Sequence, residues 1–169
     1  MKIVVQVRLL PDAGQAAALE SALRAVNEAA NLVSAVAFDR RVFREYALRK
    51  HVYGDLKDRG LGAQAAQHVI KKTCHAYQTL RANIRAGNLG TPGSKRRVKA
   101  ESTPLTFRPD GAQPYDDRYL SWQLNTRTVS IWTTAGRLRG VRFACSADAL
   151  KTLARHRHGE SDLVHRDGR

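Results

Sequence analysis

Cysteine, acidic side chains and long apolar runs are all scarce in this sequence of 169 residues. Two cysteines, Cys74 and Cys145, build neither a disulfide framework nor a four-thiolate zinc site, and the expectation is a reduced, cytoplasmic protein. No apolar run approaches the ~20 residues of a membrane span, and the start, Met1-Lys2-Ile3-Val4-Val5-Gln6, is too short and too polar for a signal peptide. A membrane is therefore not an expected partner. No Gly-rich phosphate loop is present: Gly136-Arg137-Leu138-Arg139-Gly140 lacks both the strand-to-helix context and the Lys-Ser/Thr pair. What remains is an ordinary globular composition, 43% hydrophobic, sufficient for one domain or one domain with an insertion.

Acidic residues are outnumbered, 15 against 29 Lys and Arg, for a net charge of +14. Both halves of the chain carry the excess: residues 1–90 hold 14 basic and 7 acidic side chains, residues 91–169 hold 15 and 8. A globular chain this basic suits a polyanion, because neutralising phosphates releases condensed counterions. Arginine supplies 21 of the 29, and its rigid fork of donors matches phosphates and guanine edges. A GC-rich genome would enrich arginine as well.

Along the chain, Ile3, Val5, Val7 and Leu9 alternate with Lys2, Gln6 and Arg8, the pattern of a half-buried strand with a basic outer face. Asp12 followed by Gln15 reads as a capping box. Leu19, Leu23, Val26, Ala30, Val33 and Ala37 then give the stripe of an amphipathic helix. Residues 39–46 read as a second basic, aromatic-bearing helix reaching Tyr53, and Gly54 and Gly60 as the ends of a turn. A further helix is expected from Gly62 to about Ala86. Residues 87–104, rich in glycine and holding Lys95-Arg96-Arg97-Val98-Lys99, read as a mobile basic loop.

After Pro104 the period becomes two, with strands expected at 105–108, around Leu120-Trp122-Leu124, around Val129-Ile131-Thr133, at 138–143 and at 162–165. Ser146 caps a short helix to about Arg155. Asp167-Gly168 signals a hairpin turn without a following strand. The expected fold class is α+β: a small antiparallel β-barrel interrupted after its first strand by a helical insertion. The expected boundaries are 1–10 and 104–169 for the barrel, 11–90 for the insertion and 91–103 for a basic flexible loop.

Catalytic arrangements are sparse. Asp116-Asp117 is the one adjacent carboxylate pair, and strand neighbours point to opposite faces, so a turn with local hydrogen bonds outweighs a metal site. Cys145, His156 and His158 match no zinc spacing; solvated basic groups at a helix end fit better. Cys74-His75 diverge on a helix, so Cys74 reads as core. No cofactor and no metal ligand is expected. The candidate nucleic-acid contacts are Arg8; Arg40, Arg41 and Arg44 beside Phe43 and Tyr46; Lys71 and Lys72; Lys95, Arg96, Arg97 and Lys99; and Arg127, Trp132, Arg137 and Arg139, with Arg142 on the same strands. Arg137 and Arg139 share a face if extended. Trp122 belongs to the core stripe, and Trp132 is balanced between stacking on a base and packing.

The start Val7-Arg8-Leu9-Leu10-Pro11-Asp12-Ala13-Gly14-Gln15 resembles the R-L-x-P-x-x-x-Q opening of the TnpB family, transposon-encoded RNA-guided DNA nucleases related to CRISPR type V effectors. Further likenesses follow in order: Asn31, Gln64-Ala65-Ala66-Gln67 to Tyr77, a Lys/Arg-rich loop, Phe107-Arg108-Pro109, residues 115–121, Val129-Ser130-Ile131-Trp132 and residues 134–138. They run through essentially the whole chain. The resemblance implies a wedge-type barrel with a helical recognition insertion in a prokaryotic, cytoplasmic protein. Its implied partners are guide RNA and target DNA, contacted at Arg8, the helix cations and the Lys95–Lys99 cluster through backbone and shape. The family's RuvC-like domain and zinc ribbon have no counterpart in these residues, so an inert binding lobe is expected rather than a nuclease. The open barrel edge is expected to lead to dimerisation, aggregation or a partner chain completing the sheet. Two other readings compete: a metal-dependent nuclease using Asp116 and Asp117, and a stand-alone basic DNA- or RNA-binding protein of repressor or ribosome-associated type.

Overall fold

The computed structural model describes residues 3–156 and 159–166; Lys2, His158, Asp167 and Gly168 lie outside them. The elements run β1 (Arg8–Leu10), α1 (Ala13–Arg40), α2 (Glu45–Asp58), α3 (Ala63–Arg85), α4 (Lys95–Ser102), β2 (Gln113–Tyr115), β3 (Leu120–Gln123), β4 (Thr128–Thr133), β5 (Gly136–Ala144), α5 (Ala147–Arg155) and β6 (Ser161–Leu163). The chain divides into two compact units, one of Met1–Leu23 with Ala112–Arg169 and one of Arg24–Gly111.

In the first unit a four-stranded antiparallel sheet has the order β1-β5-β4-β3, and β2 pairs with β6 in a separate two-stranded ladder. No ladder joins the two among the described residues. The first strand pairs with the later sheet, as its short length requires, with Arg8 opposite Ala144 and Leu10 opposite Arg142. It is confined to three residues: Ile3 and Val4 are exposed and unpaired. Leu19, Tyr115, Leu120, Val129, Ile131, Val141 and Phe143 form the core of this unit. Trp122 packs edge-on against Phe143, with ring centroids 5.2 Å apart. Before α1, the capping box forms in both directions. The Asp12 N–H donates to Gln15 Oε1 at 3.1 Å and the Gln15 N–H to Asp12 Oδ1 at 2.8 Å. The Ser146 hydroxyl oxygen accepts from the Ala149 N–H at the start of α5.

The second unit buries the α1 stripe from Val26 to Ala37 and, on α3, Ala65, Ala66, Val69, Ile70, Cys74 and Tyr77, joined by Leu48, Val52 and Leu56 of α2. Four expectations need correction. α1 ends at Arg40, and Arg41 adopts a left-handed φ of 55°, so Arg40, Arg41 and Arg44 do not share one helix. Gly54 lies inside α2 rather than in a turn, because the burial of Val52 and Leu56 carries the helix across it. Residues 95–102 form α4 rather than a flexible loop. The segment buries nothing, yet it is rich in helix formers, Arg97 and Glu101 pair at i,i+4, and the Thr103 hydroxyl donates to the Lys99 carbonyl.

Residues 105–108 form no strand. They belong to an extended strap, 105–111, whose backbone is satisfied by side chains. Asn27 Nδ2 donates to the carbonyls of Pro109 (3.2 Å) and Gly111 (2.8 Å). Asn31 Nδ2 donates to the Phe107 carbonyl (3.1 Å), and Asn31 Oδ1 accepts from its N–H (2.7 Å). The Ser34 hydroxyl donates to the Leu105 carbonyl (2.6 Å), and the Tyr77 hydroxyl oxygen accepts from the Leu105 N–H (3.1 Å). The spacing works because four helical residues rise about 6 Å and two extended residues about 6.6 Å, so helix positions and alternate strap residues stay in step. Gly111 is required by close approach: a Cβ there would sit 3.0 Å from Asn27 Oδ1 and 3.1 Å from the Arg108 carbonyl.

Replacing Asn31 with Ala strips both bonds from Phe107 and is expected to cost about 2 kcal/mol in chemical denaturation. A loss within the scatter of a surface substitution would show that the strap is held by other means.

Candidate nucleic-acid interface

The outward face of the four-stranded sheet gathers arginines by register. Directly opposed residues share a face, so Arg8 lies with Ala144, Arg142 with Leu10 and Thr128, and Arg137 with Trp132. Strict alternation along β5 would set Arg142 on the opposite face from Arg137 and Arg139. The register shifts between Val129 and Ile131, which pair with Val141 and Leu138, so one extra residue is accommodated at 139–140. Gly140, at φ 68°, supplies the backbone for this bulge. Parity resets, and Arg8, Arg137, Arg139 and Arg142 all face outward while Leu138, Val141 and Phe143 face the core. None of the residues in these four strands is Asp or Glu.

The four are not equivalent. Arg137 lies across the sheet, donating to the Ser130 hydroxyl (3.2 Å) and to the Arg118 carbonyl. Arg8, Arg139 and Arg142 are exposed, and no carboxylate pairs with them among the described residues. Arg127 is exposed in the β3–β4 turn at a left-handed φ of 51°. Trp132 is half-buried, its ring 5.2 Å from Tyr119, and it packs on the core of its unit.

In the second unit, cations stand over rings. The Arg41 guanidinium lies 4.2 Å from the Phe38 ring centre, Arg49 lies 4.6 Å from Tyr53, and Lys50 Nζ lies 4.7 Å from Tyr46. Tyr46 is 77% exposed. Arg40 and Arg44 are exposed at the end of α1 and the N-cap of α2. Lys72 is turned inward, donating to Asn27 Oδ1 at 2.6 Å and sitting 5.2 Å from the Phe107 ring; Lys71 is half-buried beside it. On α4, Lys95, Arg96 and Lys99 are exposed, while Arg97 holds Glu101 at 2.9 Å. Residues 59–100 contain nine Lys and Arg and no Asp or Glu, a run long enough to cover all of α3 and most of α4. Sequence reading missed the role of Gly140, and it passed over Arg49 and Lys50, whose signal was an aromatic four residues away on the same helix.

The arrangement offers phosphate contacts and stacking surfaces and little for bond-breaking. Asp116 Oδ1 accepts from the N–H groups of Arg118 (3.0 Å) and Tyr119 (3.2 Å), a turn before β3, and Asp117 is exposed beside it. Among the described residues no three His, Cys, Asp or Glu side chains converge to hold a metal, and no helix is long and apolar enough to cross a membrane. His156 is an exposed C-cap of α5. Cys74 is buried, and that burial, helped by the Glu45 charge, pushes its thiol up to about 11. Protein-family models, curated proteins and solved structures return no match to this chain.

Two outcomes follow. Gly140 has open space around it, so replacing it with Ala tests conformation alone and is expected to cost about 1 kcal/mol, and Val about 2 kcal/mol, in thermal or chemical unfolding. Equal stability of the three would mean that the bulge is not held at positive φ. The folded state favours the neutral Cys74 thiol. The stability it contributes is therefore complete below the ordinary value of 9.0 and lost as the pH rises towards about 11. The stability of Cys74→Ala against denaturant should fall less across that interval than that of the parent chain; an identical fall would assign the loss elsewhere.

Proposed function

We propose that these residues form the nucleic-acid-holding lobe of a TnpB-like RNA-guided nuclease, gripping guide RNA and the RNA–DNA heteroduplex without cleaving either. The observation that carries the reading is a sheet face whose strands hold no carboxylate, on which a single bulge aligns four arginines. The acid-free run in the helical unit supports it independently. An A-form helix presents phosphates and hydroxyls along a broad surface, and a protein that leaves sequence reading to base pairing needs cations at spaced positions rather than a base-reading helix. The ordered likenesses from Arg8 to Leu138 supply the family, and with it a wedge-type barrel for the strands and a recognition role for the helices. Cleavage is not part of the proposed role, since Asp116 is spent on its turn and Asp117 stands alone beside it.

Anisotropy binding to structured RNA and to duplex DNA of equal length, across a salt series, tests this. Tighter binding to RNA and a steep fall with salt are expected. Replacing Lys95, Arg96 and Arg97 together with Ala should reduce the logarithmic salt slope by about 2 to 3, and replacing Arg139 and Arg142 by about 2. Unchanged affinity and slope in both variants would overturn the reading. Dimerisation with sequence-specific duplex binding in the absence of RNA would replace it with a stand-alone DNA-binding protein.

A further inference from the structure

Burial along α3 stops abruptly. Eight residues between Ala65 and Tyr77 are buried, and none from 78 to 85 is, so the last two turns of the helix stand clear of the core. On this projecting end a groove of about 510 Å³ is lined by Gln78, Arg81, Ile84 and Arg85. The spacings of three, four and seven residues set these side chains on one helix face. Arg81 is aimed rather than loose, because its guanidinium lies 5.3 Å from the Phe43 ring centre, and that ring lies 4.7 Å from Tyr77. Tyr77 is in turn fixed by its hydroxyl, which donates to the Ser34 carbonyl.

Arginines in the last turn of a helix also suit its dipole, and solvated cations would need no groove. Three features go further. The groove lies within the stretch without Asp or Glu, so its charge is uncompensated along the chain. Ile84 is half-buried and offers an apolar wall. Gln78 is exposed and brings both a donor and an acceptor. Cations alone serve a phosphate; an apolar wall and an amide serve a base. The four lining side chains lie along about two turns of helix, a span that one nucleotide can follow.

We infer that this groove receives one unpaired nucleotide of a single-stranded nucleic acid. The phosphate bridges Arg81 and Arg85, and the base lies against Ile84 with its edge toward the Gln78 amide. The inference rests on the nucleic-acid reading above and adds to it a preference for unpaired segments.

Binding of an unstructured oligoribonucleotide, the same sequence as single-stranded DNA, and a duplex of equal length tests it. Ile84→Ser, which leaves the charge untouched, should weaken single-strand binding about fivefold and leave duplex binding unchanged. Arg81→Gln with Arg85→Gln should weaken single-strand binding about tenfold, and more than duplex binding. A larger loss with RNA than with DNA would assign the groove to RNA, and equal losses to either strand. Circular dichroism melts check that the variants fold. Photo-crosslinking of a 5-iodouridine oligonucleotide to the parent chain should label residues 78–85. Equal losses on single strand and duplex, or crosslinks confined to other segments, would overturn the groove while leaving the lobe intact. A parent chain that binds no nucleic acid would instead overturn the reading beneath it.

Discussion

The strap from 105 to 111 closes the helical unit without a β-ladder, and the side chains of α1 and α3 take the ladder's place. Asn27, Asn31 and Ser34 sit at spacings of four and three residues on one face of α1 and meet alternate strap residues. An unpaired backbone group in such a place would cost about 1 to 3 kcal/mol, and the strap presents several. The same hydroxyl of Tyr77 that binds Leu105 also fixes the ring against which Phe43 packs. Polar capture of the strap and aromatic packing of the α1–α2 turn are thus one construction, and the orientation of Arg81 depends on it.

A comparable economy governs the sheet. In strict alternation β5 would put Val141 and Phe143 on the face of Arg137 and Arg139, and Arg142 on the face of Leu138, so burying the first pair would bury two arginines with it. The bulge at Gly140 resolves the conflict by resetting parity within a single strand. The core and the arginine face are therefore products of one backbone feature.

Periodicity and capping chemistry were legible in the sequence wherever they acted locally. The capping box at Asp12 and Gln15, the buried stripe from Leu19 to Ala37, the limits of α3 and the cap at Ser146 all follow from short-range rules. That the first strand pairs with the later sheet followed from its being too short to stand alone, and the strand it meets there is β5. What escaped had causes at a distance or of the opposite sign to the usual signal. Arg41 breaks a helix at a left-handed φ without being glycine. α4 forms from propensity and one i,i+4 pair where composition argued against burial. The strap looked like a strand because extended backbone alternates whether its partner is a ladder or a row of asparagines. Cation clusters were visible as composition, but Lys72 turns inward and Arg137 lies across Ser130, distinctions that only partners separated by many residues decide.

The choice of partner for each cation decides what the surface can do. In the helical unit Arg41, Arg49, Lys50 and Arg81 are oriented by aromatic rings. An exposed cation–ring contact and an exposed ion pair are each worth about 0 to 1 kcal/mol, so stability does not distinguish them. Their fields do. A carboxylate would cancel the charge it positions, whereas a ring positions the cation and leaves the full charge directed at solvent. With a Debye length of about 8 Å at physiological salt, cations so held act on a polyanion only near contact. The same arrangement that tolerates a net charge of +14 thus supplies ordered, unneutralised donors together with ring faces, the two ingredients that phosphate and base require of one surface.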